Sequence, residues 1–393
     1  MKQNENLTES KCFKLVRRED GSVNFIKSDG TFLLEEWFKY AEDFFNGFAR
    51  VQRADGLWNF IKPDGTYLCE EWFYRVYHFI EGFGIVQGED GLYNFVKPNG
   101  TFLSEKWFNC TNYFSEGFGI VIRADGLWNY IKSDGTILCG EWFKKAWNFS
   151  EGFGRVQRED GLWNFIKPDG TILCGEGFED VRDFSEGFAK VRREDGLWNF
   201  IKLDGTILCE EWFERAGYFS EGFTVVQRKD GLYNFVNPDG TLLSEEWFED
   251  ADDFFNGFAR VQRADGLWNF IKPDGTYLCE ECFNYGYNFS EGFAVVRRAD
   301  GLWNYLKSDG TYLCEKWFNY ASSFLEGFAA VQREDDLYNF IKLDGTILCE
   351  EWFKNVEDFS EGFADVQRED GKWYYLKPDG TIHLLKWSME QLK

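Results

Sequence analysis

Few residues in this chain are equipped to break bonds. Histidine occurs only at His78 and His383, far apart and in unrelated contexts. That argues against serine–histidine or cysteine–histidine nucleophiles and against histidine-based metal centres. Ten cysteines are present, and Cys279-x-x-Cys282 has the spacing of half a metal site, but no second such pair completes four ligands. Carboxylates are abundant, at 68 Asp plus Glu, so paired acid–base chemistry has to be weighed. The carboxylates recur in columns, however. Glu81, Glu116, Glu151, Glu186, Glu221, Glu291, Glu326 and Glu361 all precede a glycine at one turn, with Asn46 and Asn256 as the variants. A group copied at one turn is expected to serve that turn, by accepting backbone hydrogen bonds or pairing with a cation. Calcium-loop and phosphate-loop patterns are missing from the sequence. The reading is therefore a non-enzyme, with no metal and no cofactor.

The columns exist because the chain repeats every 35 residues without insertion, from Asp20 and Asp55 through to Asp370. A fixed period of this size means one supersecondary unit stacked on copies of itself. Residues 1–12 read as a polar leader, 13–387 as about eleven tandem repeats and 388–393 as a tail. His383 and Lys386 suit a polar terminal cap. Asp43–Glu71 is identical to Asp253–Glu281, six repeats on, which indicates internal duplication.

Within the unit Phe48–Gly82, Ala54-Asp55-Gly56 and Pro63-Asp64-Gly65 are hairpin turns, and Glu81-Gly82 is a third turn. Phe48–Arg53 alternates. The Val51 column is always Val and the Ala49 column is small, whereas the Arg50 column wanders through Ile85, Lys190, Val225 and Asp365. That predicts one packed face and one free face. Leu57–Lys62 and Tyr67–Glu70 read as two further strands. Glu70–Phe79 has apolar residues at Trp72, Phe73, Val76 and Phe79, a spacing open to a short helical turn or a fourth strand. The Trp72, Phe79, Phe83 and Val86 columns are expected to be buried. Seven cysteines, Cys69 among them, share a column with Ser104, Ser244 and Leu34, which fits small buried thiols and not ligands. The Asn59 column is expected to stack Asn on Asn between repeats. The Arg53 column is expected to pair with the hairpin Asp.

The net charge is −25, and aromatic residues make up 20% of the chain. The charge disfavours nucleic acid and anionic membranes and suits a basic protein partner. No apolar run is long enough to span a bilayer, and the N-terminal residues lack a secretory pattern, so a cytoplasmic location is expected.

Phe149-Ser150-Glu151-Gly152-Phe153, then small-x-Val, then Asp160-Gly161-Leu162-Trp163, resembles the bacterial WG-repeat family over roughly Phe13–Trp387. Here Asn59, Asn94 and Asn129 replace the Gly of that family's Trp-Gly pair, and the Trp is Tyr at Tyr93, Tyr233 and Tyr338. The resemblance implies a β-rich array that mediates interactions, and it brings no catalytic residue. Locally, Gly371-Lys372-Trp373-Tyr374-Tyr375-Leu376 with Asp379-Gly380 is similar to choline-binding, cell-wall-anchoring repeats.

One zone changes between copies: Tyr74-Arg75-Val76-Tyr77, Lys144-Lys145-Ala146-Trp147, Glu249-Asp250-Ala251-Asp252. Variable residues around a fixed small one suggest a solvent-facing recognition strip. Its candidate anchors are Tyr40, Tyr77, Tyr113, Trp147, Tyr218, Tyr285, Tyr287 and Tyr320. The expected fold is an all-β repeat protein, with 35-residue β-hairpin units in an open superhelical array. One or two β-propellers form the alternative. The expected role is a scaffold for protein–protein interaction, with carbohydrate or choline binding on an aromatic face as the alternative.

Overall fold

Three turns and, in every described repeat but the last, one buried asparagine build the unit. A computed structural model describes residues 13–384. The chain divides into two compact units, one running to Asp195 with Ile201–Thr206 added, the other taking Gly196–Phe200 and continuing from Ile207. Both are all-β. In the first unit a representative sheet consists of Tyr40–Ala41, Ala49–Gln52 and Trp58–Ile61, antiparallel in that order. The next is Arg75–Val76, Gly84–Gln87 and Tyr93–Val96. Sheets of the second unit follow the same plan, for example Tyr285–Gly286, Phe293–Arg297 and Trp303–Lys307. No sheet closes into a barrel among the described residues.

The turns are set by local chemistry. Gly56 and Gly65 have φ of 91° and 84°, conformations in which a Cβ would be strained. At the second turn Asp64 Oδ1 accepts the Thr66 amide at 2.8 Å and the Thr66 hydroxyl at 2.6 Å. This Asx turn recurs, with Asn99 making the same bonds to Thr101.

After that turn the chain runs back along the third strand without forming a regular strand. Tyr67 bridges Ile61 and Phe73 bridges Trp58, while the residues between bulge away. Asn59 fills the bulge. Its Nδ2 donates to Cys69 O at 2.9 Å and Glu71 O at 3.0 Å, and its Oδ1 accepts the Phe60 amide at 2.7 Å. The same bonds recur at Asn94, Asn129, Asn164, Asn234, Asn269, Asn304 and Asn339, all buried. Asparagine therefore bonds backbone within its own repeat and does not stack on its counterparts. In the last sheet Tyr374 takes this position, and there the returning chain becomes a true fourth strand, Ile382–Leu384, with Tyr374 paired directly to Leu384.

The stretch corresponding to Glu70–Phe79 contains no helical turn, and no helix occurs among the described residues. Trp72 and Phe73 are held extended by the Phe73–Trp58 backbone pair, with N···O distances of 2.9 and 2.7 Å. The Val86 and Phe79 columns are buried as expected. The Trp72 and Phe83 columns are only half-buried, and the deeper rings are Phe60 and Phe73. Trp72 lies nearer the surface, where a guanidinium covers it: Arg53 sits 4.1 Å from its ring centroid while pairing with Asp55 at 2.6 Å.

Rings join one sheet to the next. Phe79 stacks on Phe48 of the preceding sheet at 4.0 Å and meets Phe60 edge-on at 5.0 Å. Phe223–Phe254 and Phe328–Phe359 repeat the stack at 4.3 and 4.1 Å in the second unit. The small column follows from this packing, since a Cβ on Gly84 would lie 2.6 Å from the Phe79 ring and 3.0 Å from Phe60. The Arg50 column is not a free face. Ile85, Ile120, Val295 and Ala330 are buried because adjacent sheets cover it.

The turn glutamates add a polar join. Glu81 accepts the Glu116 and Gly117 amides at 3.0 and 2.9 Å, and Glu116 accepts Glu151 and Gly152 at 2.9 and 2.8 Å. The turn residues have positive φ, 52° at Glu116, so successive amides point into one small nest that the preceding repeat fills. Asn46 instead donates its amide to Phe79 O at 2.8 Å.

Asn164→Leu should leave the buried Phe165 amide without its acceptor and the Cys174 carbonyl without its donor, with Glu176 O keeping only the Cys174 thiol, and cost about 1–3 kcal/mol, read by urea denaturation of the full chain; an unchanged midpoint contradicts the clamp. Acid should also weaken the fold through the Asx turns. The Thr hydroxyl and then the Thr amide hold the Asp64, Asp169 and Asp309 carboxyls below the usual 3.8. The unfolded chain thus takes protons first as pH falls. This contribution is complete above about pH 4 and fades below it. Melting temperature should fall from about pH 4 to about pH 2, and Asp→Asn at these turns, as at Asn99, should flatten that slope.

Candidate interaction surface

The residues predicted to form a recognition strip occupy the first strand of each sheet and the two positions beyond it. Tyr40, Tyr285 and Tyr320 share one column, Tyr77, Trp147 and Tyr287 a second, and Tyr113 and Tyr218 a third. Trp147 and Tyr218 are the most open at 54% and 58% exposure, and Tyr40, Tyr285, Tyr287 and Tyr320 are also exposed. Tyr77 and Tyr113 are half-buried. The strip brings some of them together: Tyr285 meets Tyr287 edge-on at 5.1 Å.

A row of rings at the start of each third strand completes the surface, and sequence reasoning did not single it out. Tyr40 packs on Trp58 at 5.6 Å, Tyr320 on Tyr338 at 6.2 Å, and Tyr287 lies nearly parallel to Trp303 at 6.0 Å. The signal was available, because the column of Trp58, Tyr93, Trp128, Trp268, Trp303 and Tyr338 is aromatic in these copies. In the first unit a shallow cavity of about 430 Å³ is lined by Tyr40, Glu42, Arg50, Trp58 and Tyr77. Another of about 570 Å³ is lined by Trp128, Trp147, Arg155 and Asp183.

Arg50, Arg155 and Arg260 form the floor and recur every three repeats. Arg50 pairs with Glu42 and donates to Val76 O of the next sheet at 2.9 Å. Arg155 pairs with Asp183 at 2.6 Å and donates to Val181 O at 3.2 Å. Arg260 pairs with Asp252 at 2.8 Å, donates to Gly286 O at 2.6 Å, and lies 4.3 Å from the Trp268 centroid. Each guanidinium thus has a carboxylate and a carbonyl, with a ring close to Arg155 (Trp147, 5.4 Å) and Arg260.

The remaining chemically capable residues serve the frame. His78 contacts Glu42 at 3.2 Å and the Phe45 ring at 5.2 Å, and burial followed by Arg50 lowers its pKa. Cys279 bonds Glu281 O at 3.2 Å, and Cys282 accepts from Arg263 at 3.1 Å. No group of three or more His, Cys, Asp or Glu poised to hold a metal occurs among the described residues. Burial pushes the Cys69 thiol up to about 12, with Glu71 adding to it, and burial pushes Cys314 up to about 11. Tyr130 and Tyr305 are buried phenols that donate to Trp147 O at 2.5 Å and Ser322 O at 2.9 Å, fixing backbone beside the strip. Iodoacetamide at about pH 8 should therefore alkylate exposed Cys110 well before buried Cys69 and Cys209, as read by peptide mass mapping; equal rates contradict the burial.

The family model of the WG containing repeat matches residues 177–198, 235–268 and 353–373. Among solved structures, the chain is similar to the computationally designed Ika8 protein (16% identity, 67% of this chain and 94% of that one, TM-score 0.27). It is also similar to BamB from Moraxella catarrhalis (10%, 68% and 95%, TM-score 0.25) and to the WD40 β-propeller domain of Doa1 (16%, 57% and 88%, TM-score 0.23). These scores are too low to carry an architecture across. No curated protein matches.

Proposed function

We propose that this chain, which carries the WG containing repeat in three matched stretches, is a non-enzymatic scaffold that binds partner proteins along its ring-lined strips. One observation carries the reading. The columns that repeat faithfully are engaged in the frame: Asn in its backbone clamp, Glu in the amide nest, Phe in the stacks between sheets. The columns that change from copy to copy hold the exposed rings, including Trp147, Tyr218 and Tyr287. Exposed aromatics with few rotatable bonds are effective anchors at protein interfaces. The charge of −25 favours a basic partner and disfavours phosphate-rich nucleic acid and anionic membrane. The many free thiols fit a reducing compartment, and we take the cytoplasm as the site of action.

A saccharide stacked on Tyr285, Tyr287 and Trp303 is the competing occupant, since these rings lie within 5.1–6.3 Å of one another. Both readings meet in one experiment. Immobilised full-length protein and a Tyr285→Ser/Tyr287→Ser/Tyr320→Ser variant are presented to native lysate and to a glycan array. The expected result is a protein retained by the parent and lost by a variant whose melting temperature is unchanged. Glycan binding without any retained protein, or an unchanged retained set, contradicts the proposal.

A further inference from the structure

The protein's own arginines show what its strip accepts. Arg155 places its guanidinium against the carboxylate 28 positions on, Asp183, and the carbonyl 26 positions on, Val181 O. Arg260 uses the carbonyl at the same offset, Gly286 O, and lies over the ring eight positions on, Trp268. These offsets can be followed along the second unit. At the equivalent position stands Ala330, and the surrounding parts are kept. Tyr338 is the ring eight positions on, Val356 supplies the carbonyl position, and Asp358 is the carboxylate at the Asp183 offset. The arginine is replaced by one methyl group, and Ser322 stands at the offset of Glu42 and Asp252, so Asp358 is the carboxylate left at this site.

The surroundings of that position are aromatic and acidic. Tyr320 and Tyr338 meet at 6.2 Å and 69°. Partial burial, then Asp358, Tyr287 and Tyr338, raises the Tyr320 phenol's pKa. Tyr287, Tyr320 and Asp358 are exposed. In the next repeat the column carries Asp365, whose Oδ1 is buried without a hydrogen-bond partner and whose pKa is raised by burial and Glu357. Glu42 and Asp252, at the offset of Glu357, face an arginine; Glu357 faces a second carboxylate. This end of the strip therefore presents rings and negative charge.

We infer that the Tyr287–Tyr320–Tyr338–Asp358 surface binds an arginine side chain from a basic segment of a partner protein, in the position that Arg155 and Arg260 fill from within the chain. The guanidinium lies among the exposed Tyr287, Tyr320 and Asp358 side chains, outside the buried Ala330, paired with Asp358 and against the tyrosine rings. Guanidinium suits this arrangement because its plane stacks on rings while its edge donates to carboxylate and carbonyl. The inference rests on the protein-scaffold reading and names the chemistry of the partner.

The test uses full-length protein and a fluorescent arginine-rich peptide, with a citrulline version that keeps the planar shape but lacks the charge and trades two N–H donors for a carbonyl, read by anisotropy. The citrulline peptide should bind about tenfold more weakly or worse. Asp358→Asn should weaken the arginine peptide by about tenfold, and Tyr320→Ser should do likewise. Ala330→Arg should block the peptide by supplying the guanidinium internally. Asp358→Asn alters an exposed residue, so it keeps the test decisive if Ala330→Arg fails to fold. Equal binding of the two peptides, or unchanged affinity in Asp358→Asn, overturns the inference. A retained protein that depends on the strip tyrosines but not on Asp358 would sink this inference while leaving the scaffold reading intact. Retention that depends on neither the strip tyrosines nor Asp358 would sink both.

Discussion

A buried side-chain amide, present in every described repeat but the last, is the constraint on which the rest of the structure depends. The chain returning after the Asp-Gly turn pairs with the third strand only at Tyr67–Leu68 and Phe73, and between them two carbonyls face away from that strand's amides. Asn59 and its counterparts supply the donors, each bonding the carbonyls ten and twelve positions on. The last repeat shows the alternative. With Tyr374 in place of Asn, the returning chain straightens and pairs directly. The asparagine thus exchanges a regular fourth strand for a bulge, and the bulge carries Trp72 out to where Arg53 can cover it.

From that local choice the packing follows. Phe73 is anchored by its backbone pair to Trp58, and the chain then crosses to the next sheet, delivering Phe79 onto Phe48 and Phe60. Ring stacks and the glutamate–amide joins link neighbouring sheets, so stability is expected to come from nearest-neighbour terms. Such a frame tolerates change at residues it does not use. The first-strand positions are free to become Tyr40, Arg75, Lys145, Asp250 or Tyr320 without touching the clamp. That freedom is what recognition needs.

Much of this was legible in the sequence. The period, the turns, the invariant Val51 column and the small Ala49 column each announce a structural job through the residue type itself. The asparagine clamp was hidden because its acceptors are backbone carbonyls. Cys69, Ser104 and Leu34 accept the same bond, so the partner column shows no matching side-chain chemistry. The Arg50 column misled for a related reason. Its variety suggested solvent, but Ile85, Val295 and Arg260 all fill the covered space between sheets, the first two by packing and the third by reaching a carbonyl. The helical spacing of Trp72, Phe73, Val76 and Phe79 arose from an extended segment that uses different faces against different neighbours. Among the strip residues, exposure was foreseen for Tyr40, Trp147, Tyr218, Tyr285, Tyr287 and Tyr320, whereas Tyr77 and Tyr113 lie half-buried.

Native-state hydrogen exchange tests the clamp most directly. The Leu173 and Phe178 amides bond Phe165 O and Trp163 O at 2.8 and 2.9 Å, and the Phe165 amide bonds the Asn164 side chain at 2.8 Å. The account predicts that these three amides exchange as slowly as those of the central strand Gly154–Gln157, although Leu173 lies in no regular strand. Exchange of Leu173 and Phe178 at the rate of an open loop, beside protected strands, would contradict it.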